Sequence, residues 1–121
     1  MKKINRWLIG LMSVIVILAS CTRPVVVVED IPDNTPRGSQ IFITGEFNRW
    51  DPGDQRFIME MNEDCNYFIT LPSGFGVLDF KLTRGDWTTV ETDICGYDID
   101  NRTLNYGNED TVYVSIESWR D

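Results

Sequence analysis

The chain has 121 residues, 25% of them charged and 42% hydrophobic, with 11 Lys+Arg against 19 Asp+Glu and no histidine. That length holds one domain, and that composition belongs to a folded globular chain rather than a disordered or multi-span membrane one. The formal charge of −8 excludes nucleic acid as a partner held by charge, and the missing histidine removes the commonest general base and metal ligand.

At the N-terminus, Lys2, Lys3 and Arg6 precede an apolar run from Trp7 to Ala19. The run suits the apolar region of a signal peptide and is short for a membrane span. It ends in Leu18-Ala19-Ser20-Cys21, which resembles a bacterial lipobox. The resemblance implies that residues 1–20 are a lipoprotein signal peptide and that Cys21 is lipidated. It places the chain on the bacterial cell envelope, at the outer membrane, held to the bilayer by its N-terminal lipid. More than one acyl chain is needed for stable anchoring. An ordinary secretory signal or a short membrane anchor is the alternative. Loss of residues 1–20 removes three basic side chains and no acidic ones, leaving 8 basic against 19 acidic and Lys81 as the only lysine.

Residues 21–39 read as the lipidated cysteine and a flexible tether, with Pro24, Pro32, Pro36 and the turn pairs Asp33-Asn34 and Arg37-Gly38. The β-branched run 25–28 interrupts it and could instead be an edge strand. From residue 40 to residue 121 the period is two. Ile41, Ile43 and Phe47 alternate with Phe42, Thr44 and Glu46, and Phe57, Met59 and Met61 alternate with Ile58 and Glu60. Residues 67–71 alternate up to Pro72-Ser73-Gly74; Leu78, Phe80 and Leu82 oppose Asp79, Lys81 and Thr83. Short strands are also expected at 87–91, 103–106 and 112–116. About seven short strands with turns between them predict an all-β fold, a single antiparallel β-sandwich. Cys65 and Cys95 either form a disulfide, which an oxidising compartment permits, or remain two small thiols buried or half-buried in the fold.

No serine has a histidine to activate it, and a sandwich this small seldom offers the cleft that a carboxylate pair of a glycosidase needs. The chain is therefore expected not to be an enzyme. The acidic groups Asp30/Asp33, Asp51/Asp54 and Asp93/Asp98/Asp100 fit no EF-hand loop and read as solvated turns; no metal and no cofactor is expected. Trp50 and Trp87 fall at strand ends, where an indole either covers the core or lies open as a platform. A sugar offers one apolar C–H face and a rim of hydroxyls, which suits an indole with polar neighbours. Trp119 reads as core or C-terminal packing. Lys81 points outward by alternation, either paired with a neighbouring acid on a solvated face or offering its three donors to a ligand.

The stretch Ile41-Phe42-Ile43-Thr44-Gly45-Glu46-Phe47-Asn48-Arg49-Trp50-Asp51-Pro52 resembles the opening strand and turn of carbohydrate-binding module family 48, which includes the glycogen-binding domain of AMP-activated protein kinase. Phe80-Lys81-Leu82 followed by Arg84-Gly85-Asp86-Trp87 resembles a later strand, turn and second tryptophan of that family. Asp100-Asn101-Arg102 resembles an element of the starch-binding modules of family 20. The resemblance runs from residue 40 to about residue 116. It implies an immunoglobulin-like (early-set) sandwich that binds an α-1,4-glucan such as starch, glycogen or maltodextrin. It makes Trp50 and Trp87 stacking platforms, Lys81 a donor and Asn101 an amide partner. Thr88 stands where family 20 often has an acid, and the segment between Trp87 and Asn101 is longer. Related domains that keep the fold and lose the sugar serve as structural or protein-interaction modules, here in a complex with other envelope proteins. That is the alternative function.

Overall fold

The computed structural model describes residues 23–108 and 110–121. The signal-peptide expectation and the lipidation of Cys21 fall outside the described residues. The strands are β1 (Val25–Asp30), β2 (Phe42–Gly45), β3 (Glu60–Met61), β4 (Tyr67–Thr70), β5 (Val77–Thr83), β6 (Glu91–Thr92), β7 (Arg102–Asn105), β8 (Thr111–Ser115) and β9 (Ser118–Trp119). One sheet has the order β3-β4-β1-β8, a second β2-β5-β7, and β6 pairs with β9. All pairings are antiparallel except β1 with β8, which is parallel. The result is an all-β, immunoglobulin-like sandwich.

The core lies between the two larger sheets. Val26, Val28, Ile69 and Val114 come from one; Ile43, Leu78, Phe80, Leu82 and Leu104 come from the other. These residues alternate along their strands, so each sheet gives one face to the core. Trp119, 2% exposed, packs into the same cluster. Its indole Nε1 donates to Thr35 Oγ1 at 2.9 Å, and the Arg84 guanidinium lies 5.4 Å from its ring centroid. Its expected role as core is what the fold uses.

Four expectations need correction. The run 25–28 is neither tether nor edge. β1 is hydrogen-bonded on both sides, with Val27 in register with Phe68 and with Tyr113. The β-sandwich therefore begins at β1 rather than at residue 40. The strand expected at 57–61 shrinks to Glu60–Met61, because Gln55–Phe57 is a 3-10 turn capped by Asp54. The strand expected at 87–91 opens instead as a 3-10 turn, Trp87–Thr89, because the Asp86 carboxylate accepts from Thr88 N. Cys65 and Cys95 are unbridged and both exposed, each at a turn tip whose asparagine or aspartate side chain binds the turn's amides.

Candidate functional site

The site is built where β5 ends. Lys81 is paired with Thr44 of β2 on one side. On the other side the β5–β7 register runs from Val77 with Asn105 to Phe80 with Arg102, and the next position sets Lys81 opposite Asn101. The Lys81 ammonium donates to the carbonyl of Ile99. Beyond Gly85 the chain turns, and Asp86 caps the 3-10 turn that carries Trp87.

Between these groups is an open cleft of about 260 Å³ lined by Lys81, Trp87, Val90, Asp98, Ile99 and Arg120. Trp87, Val90 and Ile99 supply apolar surface; Lys81, Asp98 and Arg120 supply charge and hydrogen-bonding groups. Trp87 is 38% exposed. Arg120 holds two sides together: one amine donates to the Trp87 carbonyl at 3.3 Å and another pairs with Asp98. Its own backbone N donates to Val90 O at 2.9 Å. Thus the C-terminal strand β9 fastens the turn that presents Trp87.

Trp50 stands on a neighbouring loop fixed by a buried amide. Asn48 Oδ1 accepts from Gly45 N at 3.0 Å and from Thr44 Oγ1 at 3.3 Å; its Nδ2 donates to Ile43 O at 3.4 Å and Asp51 O at 3.2 Å. That amide holds Arg49 and Trp50 in the left-handed region, with φ of 57° and 60°. Non-glycine residues occupy that region only when their surroundings enforce it. The same loop lies against the Trp87 turn. Thr83 Oγ1 donates to Pro52 O at 2.6 Å, and a Cβ on Gly53 would sit 2.6 Å from Gly85 O, so only glycine permits the approach.

The chain is similar to segments of an alpha-amylase and two amylopullulanases. An alpha-amylase of Niallia circulans is 42% identical over 94 residues, 75% of this chain and 7% of that protein. An amylopullulanase of Thermoanaerobacterium thermosulfurigenes is 31% identical over 96 residues, 75% of this chain and 5% of that protein. One of Thermoanaerobacter thermohydrosulfuricus is 31% identical over 97 residues, 75% of this chain and 6% of that protein. The chain spans only these small shares of the curated relatives it matches. No protein-family model matches the chain.

Of the expected site residues, Lys81 and Trp87 line the same cleft. Trp50 is half-buried and Asn101 is exposed; neither is among the residues that line the cleft. Asn101 is positioned by its neighbour Arg102, which donates from Nε and Nη2 to the Glu91 carboxylate at 2.7 to 3.0 Å and from Nη2 to Ser115 O at 2.8 Å. Glu91 is 1% exposed and also accepts from Leu82 N at 2.9 Å. Sequence reasoning did not find Asp98 or Arg120 as cleft residues. By sequence Asp98 groups with Asp93 and Asp100 as a solvated turn. In the fold Asp93 instead caps its own turn, accepting from Cys95 N and Tyr97 N at 2.9 Å. Among the described residues no cluster of three or more His, Cys, Asp or Glu side chains is arranged for a metal ion.

Proposed function

We propose that this chain is a non-catalytic carbohydrate-binding module for α-1,4-glucans, of the kind represented by module families 48 and 20, held on the bacterial envelope by a lipid on Cys21. The observation that carries the glycan reading is the exposed Trp87 indole sharing a cleft with the Lys81 ammonium. An indole face buries the C–H face of a pyranose, while charged and amide groups at its edge bind hydroxyls. Similarity to segments of an alpha-amylase and of amylopullulanases supports an α-glucan over other sugars. Trp50, on the loop bound to the Trp87 turn, is the second platform, and Asn101, opposite Lys81, the second polar partner. The lipobox-like residues 18–21 support the anchoring, with the outer membrane as its location.

In this reading Lys81 exchanges its bond to Ile99 O for a sugar hydroxyl, or shares its three donors between them. A few rings and hydrogen bonds in water give modest affinity, roughly 10 µM to 1 mM. Titrating a chain that begins at Thr22 with maltoheptaose and β-cyclodextrin, followed by tryptophan fluorescence, tests it. A saturable change in that range is expected. A flat response through millimolar sugar overturns it.

A further inference from the structure

In the sequence, β1 begins four residues after Cys21. Two segments bond to the chain at its start, and a third bond ties the loops that adjoin them. Leu71 N donates to Pro24 O at 2.8 Å, Val25 N to Asp110 O at 2.9 Å, and Tyr106 N to Gly76 O at 3.0 Å. Val25 is in register with Thr70 and with Thr111. The entry of the chain, the loop 72–76, residues 106–108 and Asp110 therefore lie at one end of the sandwich. That end carries Phe75, 94% exposed, and Val77, 62% exposed. Phe75 stands between Gly74 and Gly76. Gly74 rests on the ring of Tyr106, where a Cβ would come within 2.8 Å, so an aromatic floor supports the loop from which Phe75 projects. The cleft lies the other way. Lys81 is four residues further along β5, about 13 Å, and Trp87 follows the far end of that strand.

We propose that this end of the domain is a membrane-contact face, with Phe75 and Val77 entering the interfacial layer of the bilayer while the cleft points away from it. The inference rests on the anchoring proposed above. Reach decides the geometry. Four extended residues span at most about 14 Å, and the polar interfacial layer is roughly 5–8 Å deep on each side of a bilayer. A domain on so short a connection has its β1-entry end at the headgroups. An exposed phenyl ring there leaves water for the acyl boundary, the behaviour of interfacial aromatic and apolar anchors. Among the described residues at this end, Arg23 and Asp110 are exposed and opposite in charge, so the contact proposed is the apolar one made by Phe75 and Val77, and a zwitterionic surface is the one to test.

The test uses the full chain, expressed, processed and reconstituted in phosphatidylcholine vesicles. In a Cys65→Ser, Cys95→Ser background, an environment-sensitive fluorophore is placed at Phe75→Cys or, as the far-end control, at Thr88→Cys. Blue-shifted emission and quenching by nitroxide lipids at position 75, with neither at position 88, is the expected result. On vesicle-bound protein, a label at 75 as water-exposed as the label at 88 overturns the membrane face while leaving the anchoring intact. Flotation with vesicles and the mass of the mature chain, compared with Cys21→Ser, read the anchor separately. A wild-type chain without lipid mass that fails to float defeats the anchoring and this face with it.

Discussion

At the scale of single residues, the candidate site separates groups that meet a ligand from groups that hold them in place. In the proposed binding mode Lys81 and Trp87 are of the first kind; Asn48 is of the second. Asn48 is buried and uses both ends of its amide on four partners around Trp50. An alanine there strands buried donors and acceptors at a cost of about 2 kcal/mol. Asn48→Ala is therefore expected to lower the denaturation midpoint and, by freeing Trp50 from its left-handed conformation, to weaken glucan binding as well. Urea unfolding alongside the sugar titration checks both. That Lys81 and Trp87 reach the surface was legible in the sequence, because outward alternation and a strand-end position mark them locally. Asp98 and Arg120 were not, since they are 22 residues apart and no periodicity encodes a pairing between a turn and a C-terminal strand.

At the scale of elements, β1 is the instructive case. A strand buried on both faces and bonded on both sides reads as an unbroken apolar run rather than an alternation. For that reason four consecutive valines next to a proline-rich stretch left tether and edge strand both open, and an interior strand was not foreseen. Trp87–Thr89 misled in the opposite direction: aromatic and β-branched composition favours strand, but the Asp86 cap bends the segment into a 3-10 turn. Strands β4, β5, β7 and β8 were legible because each sets one face on the core and leaves residues of the other less buried. A consequence follows for truncation. A chain beginning at Gln40 lacks the interior strand of the four-stranded sheet, and Val26 and Val28 leave the core with it. That chain is expected to give no cooperative thermal transition, whereas one beginning at Thr22 unfolds in a single transition. Circular dichroism melts of the two distinguish a domain that starts at β1 from one that starts at residue 40.

At the scale of the whole molecule, electrostatics sets the working range. The hydrogen bond from Arg56 holds the Asp54 carboxyl below its ordinary value of 3.8, and that from Arg84 does the same for Asp121. Carboxyls depressed in the folded state contribute stability that is complete above their unfolded values and is lost as pH falls through the folded ones. The chain has no histidine, so no side chain of ordinary pKa titrates between pH 5 and 8. Stability and sugar affinity are both expected to be flat across that interval, with stability falling only below about pH 4. Melting temperatures and binding isotherms measured from pH 3 to pH 8 check this.

The proposed envelope arrangement joins these scales: a short connection to lipid at one end of the sandwich, an aromatic cleft toward the other. The proposed function stands on Trp87 as a sugar platform. The most direct measurement is calorimetric titration of maltoheptaose into the wild-type domain, Trp87→Ala and Lys81→Ala, with folding of each verified by its melt. Binding by the wild type, loss of it in folded Trp87→Ala and weakening by about 1 kcal/mol in Lys81→Ala is the expected pattern. Undiminished maltoheptaose affinity in folded Trp87→Ala would contradict it.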